Sequence, residues 1–282
     1  MAEGLLDPRT IRALAAELGL RPTKQRGQNF VHDANTVRRI VTASGVDADD
    51  AVMEIGPGLG SLTLGLLEVA RHVTAIEIES ALAQRLPRTV AQRLPDRADR
   101  LTVIEADALD VADVPDPQPT ALVANLPYNV SVPVLLHVLA QFPTIEHGLV
   151  MVQLEVADRL VAPPGSKVYG VPSVKLAWYA SSARVGTVPP TVFWPVPNVD
   201  SGLVSLRRRP APDTTATRAE VFGVVDAAFA QRRKMLRGAL AGLFGGSTAA
   251  SAALERAGVD PQARGEVLTI EDFVAIAEQL PR

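Results

Sequence analysis

The sequence predicts an α/β fold, in which a mostly parallel, doubly wound sheet of seven strands is followed by a small all-α C-terminal domain. Between residues 51 and 208, short apolar runs of strand length alternate with helical stretches. This alternation is typical of parallel strands joined by helical crossovers. After a polar, proline-containing segment at 210–217, only helical patterns remain. We therefore expect two domains, residues 1–209 and 210–282.

Two helices are predicted ahead of the sheet. Residues 8 to 20 carry apolar side chains at helical spacing, and Gly19 and Pro22 end the pattern. A polar loop with one aromatic residue follows, and the second helix is expected from Asn35 to Ala43. This N-terminal region forms an extension of the first domain.

Seven strands are expected in the sheet itself. Their approximate bounds are 51–55, 72–77, 101–105, 120–124, 147–153, 182–188 and 202–207. A proline-rich loop without a helical pattern joins the last two, so we expect them to form an antiparallel pair at one edge. The C-terminal helices are expected near 218–230, 232–243, 248–257 and 270–279.

The composition is that of an ordinary globular protein, with 47% hydrophobic and 21% charged residues. The absence of cysteine excludes disulfides and thiolate metal sites, and no metal is expected. No apolar run approaches about 18 residues, and the N-terminus lacks the apolar core of a signal peptide. We therefore expect a cytoplasmic protein without a membrane partner, and a monomer because no apolar pattern is left over beyond the core.

The net charge of −3 is unevenly distributed. The segments Arg9–Arg39 and Arg207–Arg237 each carry a net charge of +5, which leaves −13 for the rest of the chain. Two basic segments flanking an acidic core indicate a footprint for phosphates. Two ordinary solvated helical faces are the alternative interpretation.

The chain is organised around an apolar strand that ends at Ile55 and runs into Gly56, Gly58 and Gly60. Glycines between a strand and a helix form a loop that a small ligand can approach closely. Dinucleotide enzymes need G-x-G-x-x-G, whereas this loop has G-x-G-x-G with Glu54 two residues before the first glycine. A carboxylate there repels a pyrophosphate and suits an ammonium or sulfonium group. A tight turn without a ligand is the alternative.

Acidic residues also follow the next two strands. Glu77 comes about twenty residues after the glycine loop, where it is placed to accept hydrogen bonds from the hydroxyls of a ribose. Asp107 can accept from the amine of an adenine, or it can cap the helical turn that follows. A nucleoside that is cationic rather than polyphosphorylated indicates S-adenosylmethionine.

The motif Asn125-Leu126-Pro127-Tyr128 follows the fourth strand. A base amine is a poor nucleophile because its lone pair is delocalised into the ring. The side-chain oxygen of Asn125 and the carbonyl of Leu126 can accept its two N–H bonds and localise that pair for attack on a sulfonium methyl. Pro127 stiffens the turn, and Tyr128 offers a face on which the base stacks. A proline turn with a half-buried tyrosine is the alternative.

Two later segments complete the candidate site. Phe193, in the proline-rich stretch Phe193–Ser201, is placed to stack on the other face of a flipped base, with loop packing as the alternative. The segment Gln231–Arg237 is strongly basic and is expected to begin a helix that contacts phosphates, unless it is a solvated face. The candidate phosphate-binding cations are Lys24, Arg26, Arg232, Arg233, Lys234 and Arg237.

Taken in order, these motifs resemble the KsgA/RsmA family of small-subunit ribosomal RNA adenine dimethyltransferases. The chain departs from the family pattern at Val31, where leucine is usual, and at Asn198, where lysine is common. The first change is nearly conservative, and the second removes a cation. The resemblance covers nearly the whole chain, with matching segments at Gly27–Val31, Glu54–Gly60, Glu77, Glu105–Ala108, Asn125–Tyr128, Gln153–Ala157, Gly165–Gly170, Phe193–Ser201 and Gln231–Arg237.

The resemblance implies the Rossmann-like fold of class I methyltransferases and an enzyme that uses S-adenosylmethionine. It implies N6-dimethylation of two adjacent adenosines in the 3′-terminal hairpin loop of 16S rRNA, within an immature 30S subunit during ribosome biogenesis. Tyr128 and Phe193 would sandwich the base. The implied cofactor ligands are Asn29, Val31, Gly56, Glu77, Asp107 and Asn125, to which the glycine-loop argument adds Glu54 and Gly58.

Three alternatives stay open. An Erm-type enzyme, which acts on one adenine of 23S rRNA, shares the core motifs, but the basic segment 231–237 and the low isoelectric point favour the small-subunit family. A docking factor for ribosome precursors without catalysis is disfavoured by the intact segment Asn125–Tyr128. A nicotinamide oxidoreductase is disfavoured by the spacing of the glycines.

Overall fold

Seven strands form one sheet in the computed structural model, which describes residues 4–20, 29–127 and 130–281. A further pair of short strands, β1 and β8, forms a separate two-stranded sheet. All seven predicted strands are confirmed to within about two residues. The strands are β1 (Phe30–Val31), β2 (Ala51–Ile55), β3 (His72–Glu77), β4 (Leu101–Glu105), β5 (Ala121–Asn125), β6 (His147–Gln153), β7 (Ala180–Val188), β8 (Phe193–Trp194) and β9 (Ser201–Arg208).

The main sheet has the order β4-β3-β2-β5-β6-β9-β7. The five strands from β4 to β6 are parallel to their neighbours, and β9 runs antiparallel to β6. The last two strands of this sheet along the chain, β7 and β9, lie together at one edge, as the sequence predicts. Because parallel strands end at the same edge, Ile55, Glu77 and Asn125 come close together although they are far apart in sequence.

The helices agree with the sequence pattern except in one C-terminal segment. The expected single helix over 232–243 is wrong at its start, because residues 231–234 form a turn and Met235 is extended, and the helical segment that follows is interrupted at Leu240. Leu236 donates its N–H to the carbonyl of Ala263 rather than to the preceding turn. The helices are α1 (Pro8–Glu17), α2 (Ala34–Ser44), α3 (Ser61–Leu67), α4 (Ser80–Arg93), α5 (Ser131–Gln141), α6 (Leu154–Leu160), α7 (Val171–Ala177), α8 (Arg218–Ala230), α9 (Leu236–Ala239), α10 (Ala241–Phe244), α11 (Ser247–Arg256) and α12 (Ile270–Ala277).

The chain groups into two compact units. The first contains the chain up to Ala157 together with Ala183–Arg208, and the second contains Asp158–Ser182 together with the chain from Arg209. Residues 158–182, which the sequence-based division places in the first domain, are grouped with the C-terminal helices. Their helical patterns resemble crossover helices of an alternating fold, so local sequence does not reveal this grouping.

Each unit has its own core. In the first, apolar side chains of β2 and α3 are fully buried, among them Val52 and Leu66. In the second, Phe229 of α8 packs against Tyr169 and Phe273, with ring centroids 6.1 Å apart in both pairs. No helix within the described ranges is both long and apolar enough to cross a membrane.

Candidate functional site

A cavity of about 420 Å³ opens at the carboxyl edge of the parallel strands. The neighbouring strands β4, β3, β2 and β5 all end there, so the loops that follow them share its wall. The segment that contains β1 forms another part of the wall. All eight predicted cofactor ligands lie in the lining: Asn29, Val31, Glu54, Gly56, Gly58, Glu77, Asp107 and Asn125.

The glycine loop needs glycine at Gly58 for two reasons. Its φ of +58° lies in the left-handed region, which side-chain-bearing residues rarely adopt. A Cβ atom at this position would also lie 2.8 Å from Cε1 of Phe30. The ring of Phe30 therefore lies directly against the backbone of the loop.

Glu77 is held in the cavity wall by the backbone. Its Oε2 accepts a hydrogen bond of 3.0 Å from the N–H of Gly58, and its Oε1 accepts one of 3.0 Å from the N–H of Glu79. Burial raises the pKa of Glu77, and these backbone donors oppose that shift. A carboxylate oxygen can accept more than one hydrogen bond, so Glu77 is fixed in position and retains capacity for a ligand hydroxyl.

Glu54 differs from the sequence-based expectation of a charged carboxylate. It is only 1% exposed, and burial raises its pKa to about 8, with partial opposition from the nearby Thr63 hydroxyl and an added increase from the charge of Glu77. Glu54 is thus mostly protonated at neutral pH when nothing cationic lies beside it. Its Oε2 has no hydrogen-bond partner among the residues described. An unpaired buried polar atom is costly, and a donor or cation in the cavity would satisfy it.

Asn125 ends β5 and is oriented by the segment around β1. Its Nδ2 donates a hydrogen bond of 3.1 Å to the backbone carbonyl of Asn29. Leu126 is buried, and its N–H donates to the carbonyl of Met151. Pro127 lines the cavity beside Asn125. Tyr128, the last residue of the motif, lies outside the described residues.

Asp107 lies in the cavity wall and also caps the turn that follows it. It lines the cavity, and its Oδ1 also accepts a hydrogen bond of 2.9 Å from the N–H of Leu109. The capping interaction occupies one oxygen of the carboxylate and holds the side chain in place.

Phe193 is not brought to the cavity. It is fully buried in β8, where it pairs with Val31 of β1, and it is absent from the cavity lining. The structure therefore shows Phe193 in a packing arrangement, and stacking on a base requires a rearrangement around it. Sequence reasoning missed the β1–β8 pair because two-residue strands have no periodicity to detect.

Two further residues, which the sequence motifs do not indicate, also shape the cavity. Phe30 lines the cavity. Its position in the sequence between two predicted ligands, Asn29 and Val31, is the signal that could have identified it. Ser61 lines the cavity too, and its Oγ donates a hydrogen bond of 2.5 Å to the carbonyl of Val31. Only the folded chain reveals this second contact.

The basic segment of the second unit divides into two kinds of cation. Arg232 forms an ion pair with Glu266 at 3.1 Å and donates a hydrogen bond of 2.7 Å to the carbonyl of Lys167. In contrast, three side chains are exposed and make no hydrogen bond or ion pair with the described part of the chain: Arg233, Lys234 and Arg237. Lys24 and Arg26 lie outside the described residues. Across residues 4–20, 29–127 and 130–281, no cluster of three His, Asp or Glu side chains is arranged to hold a metal ion.

The chain is similar to known proteins over almost its whole length. The family described as ribosomal RNA adenine dimethylase matches residues 20–281. The chain is 66% identical to the ribosomal RNA small subunit methyltransferase A of Cutibacterium acnes, over 98% of this chain and 95% of that protein. It is 67% identical to the protein of the same name from Streptomyces coelicolor, over 98% and 97% of the two chains.

Two solved structures share the architecture. The 23S rRNA methyltransferase ErmE is 29% identical with a TM-score of 0.64, covering 89% of this chain and 99% of that one. A dimethyladenosine transferase from Plasmodium falciparum is 22% identical with a TM-score of 0.73, covering 88% and 95% of the two chains. At this identity, the likeness to the Plasmodium falciparum structure supports the fold alone.

Proposed function

Because the chain belongs to the ribosomal RNA adenine dimethylase family, we propose that it methylates N6 of two adjacent adenosines in the 3′-terminal hairpin loop of 16S rRNA, using S-adenosylmethionine. The observation that carries this proposal is the hydrogen bond from Asn125 to the Asn29 carbonyl inside the cavity. The identity of about two thirds to small-subunit methyltransferases supports the choice of RNA.

Several features of the cavity support S-adenosylmethionine as the cofactor. Its volume of about 420 Å³ suits a ligand of nucleoside size. Glu77 would hold the ribose hydroxyls, Asp107 the adenine amine, and Glu54 the cationic end of the molecule. The unpaired Oε2 of Glu54 fits such a ligand, because a cationic group beside it would satisfy this atom. When bound, the cofactor supplies an electrophilic methyl group on a sulfonium centre.

The role of Asn125 follows from its orientation. Since Nδ2 is committed to the Asn29 carbonyl, Oδ1 is the end of the amide that accepts a hydrogen bond from the base amine. The carbonyl of Leu126 would accept from the second N–H of the same amine. Two acceptors in fixed positions localise the nitrogen lone pair and direct it toward the methyl group. No strong base is needed, because the methylated nitrogen is acidic enough to lose its proton to water.

Binding of the RNA would involve both ends of the chain. Arg233, Lys234 and Arg237 present charge on the surface of the second unit, without partners among the described residues. The N-terminal cations Lys24 and Arg26 are proposed to contact phosphates as well. Such contacts give affinity without base specificity, which then depends on the pocket for the target adenine.

The surroundings of the reaction follow from the substrate. We propose that the protein acts as a monomer on an immature 30S subunit in the cytoplasm, where bacterial ribosome precursors are found. The net charge of −3 supports a structured ribosomal particle as substrate over naked RNA, since the chain as a whole does not attract polyanions.

Transfer of a labelled methyl group tests the proposed function. The parallel substrates are small subunits that lack the modification, complete ribosomes and free large-subunit rRNA, each followed by nucleoside analysis. We expect N6,N6-dimethyladenosine in the small-subunit rRNA alone. Label in the large-subunit rRNA would favour an Erm-type activity, which the likeness to ErmE makes the second candidate. Saturable binding without label would indicate a docking factor.

A further inference from the structure

Trp194 lies outside the cofactor cavity but is stacked on a residue of its wall. The ring centroids of Phe30 and Trp194 are 6.4 Å apart, with the ring planes inclined by 21°. Phe30 lines the cavity, whereas Trp194 is absent from the lining. The β1–β8 register places the two residues opposite each other. Both the backbone and the rings therefore join the cavity wall to the segment that contains Trp194.

Phe30 transmits this contact to the glycine loop. The edge of its ring lies against Gly58, where a Cβ atom would be 2.8 Å away. The N–H of Gly58 in turn donates to Glu77. The residue before Phe30 also contacts the site, because the carbonyl of Asn29 accepts a hydrogen bond from the side chain of Asn125. A shift of Phe30 would thus disturb both the loop and the Asn125 amide.

We propose that Trp194 is a positioning residue for the cofactor cavity, acting through Phe30. Its ring holds Phe30 against Gly58, and this keeps the wall of the cavity formed before a ligand arrives. A two-stranded ladder of two residues per strand is marginal without side-chain packing. In the absence of Trp194, the ligand would have to order the wall itself, and this cost would appear as weaker binding. The identity of the ligand rests on the proposed function.

Calorimetric titration of the full chain with S-adenosylhomocysteine, the stable product form of the cofactor, tests this role. We expect Trp194→Ala to raise the Kd roughly 2- to 30-fold, the range for a residue that acts on a ligand through another side chain. Trp194→Phe retains a stacking ring and should stay within about twofold of the wild type. Trp178→Ala is the matched control, because the other tryptophan also makes an aromatic contact and is more deeply buried than Trp194, but belongs to the second unit. Its Kd should be that of the wild type.

Fluorescence gives a readout that is independent of Trp194→Ala folding. The variant Trp178→Phe leaves Trp194 as the only tryptophan, and its emission should stay nearly unchanged as the cavity is filled, because the wall is formed before the ligand arrives. A large change in emission at saturation, equal Kd for Trp194→Ala and wild type, or an equal loss in Trp194→Ala and Trp178→Ala would each overturn the positioning role. If the wild-type chain does not bind S-adenosylhomocysteine, the proposed function fails and the positioning role fails with it.

Discussion

The side-chain nitrogen of Asn125 donates a hydrogen bond of 3.1 Å to the backbone carbonyl of Asn29, across 96 positions of the chain. The contact joins the end of a central strand to the segment that forms one wall of the cavity. It decides which end of the amide is the donor and which is the acceptor. The proposed activation of the base amine depends on this orientation.

Asn125→Ala should abolish methyl transfer, because it removes the acceptor for the base amine. Loss of one preorganised group at a reacting centre costs roughly 10²- to 10³-fold in kcat. Asn125→Asp is the informative companion, because it retains an oxygen acceptor but cannot donate to Asn29. We expect it to be strongly impaired as well. Labelled-methyl transfer to unmodified small subunits measures both variants, and undiminished transfer by Asn125→Ala would contradict the mechanism.

Phe193→Leu separates base stacking from core packing. Because Phe193 is fully buried, Phe193→Ala would create a cavity and lower the free energy of unfolding by about 3–5 kcal/mol. A loss of activity in that variant would not distinguish lost stacking from lost packing. Leucine fills much of the space and should cost about 1–2 kcal/mol, but it has no aromatic face. If Phe193 stacks on the base after a rearrangement, the leucine variant should lose roughly tenfold or more in activity, since one stacked base contributes about 1–3 kcal/mol. Wild-type kinetics with a near-normal Tm would show that Phe193 packs in the core and does not stack on the base.

Cofactor binding should release a proton from Glu54. The raised pKa of about 8 means that this carboxyl is mostly protonated at pH 7, whereas a cation beside it favours the ionised form. Affinity for S-adenosylmethionine should therefore rise with pH below about 8, by at most about tenfold per pH unit. Calorimetry in buffers of different ionisation enthalpy measures the number of protons that are released when the cofactor binds. Glu54→Gln should abolish both the release and the pH dependence, and proton release that persists in this variant would assign it to another group.

The same residue should limit the stability of the unliganded protein. Because the folded-state pKa of Glu54 is about 8 against 4.5 for the ordinary side chain, the folded chain binds the proton more tightly. Stability from this group is present at low pH and is lost as pH rises from about 4.5 to 8, by roughly 3 kcal/mol between pH 4.5 and 7. Glu54→Gln should raise Tm at pH 7 while weakening cofactor binding. Thermal unfolding at several pH values measures this, and a lower Tm for the variant at pH 7 would oppose the prediction.

The salt dependence of RNA binding should distinguish the cations of the second unit. Replacing Arg233 and Lys234 together by glutamine should lower the slope of log K against log salt by about 1.4–1.8, at 0.7–0.9 per phosphate contact. Arg232→Gln should leave the slope nearly unchanged, because its guanidinium is engaged with Glu266 and the Lys167 carbonyl. Filter binding to small subunits at several salt concentrations measures the three slopes. If Arg232→Gln lowered this slope by about one unit, Arg232 would instead be in contact with a phosphate.

Much of the architecture could be predicted from local pattern. The seven strands of the sheet are short apolar runs between turns, and hydrophobic periodicity detects them reliably. The carboxyl ends of the strands then indicate where the cavity lies, because Glu54, Glu77 and Asn125 are the last or the next-to-last residues of parallel strands. The turn at 231–234 was not predicted in this way, because local pattern does not show that the chain directly after it, at Leu236, donates a backbone hydrogen bond to distant Ala263.

The sequence by itself determined the fold class, the family resemblance and the set of polar residues at one edge of the sheet, since each depends on the order and spacing of residues along the chain. Tertiary structure alone decided the protonation of Glu54, the orientation of Asn125, the burial of Phe193 and the pairing of Arg232. These properties depend on exclusion of water and on partners from distant segments. Neither is encoded in spacing, so only the folded chain reveals which candidate side chains are charged, oriented or covered.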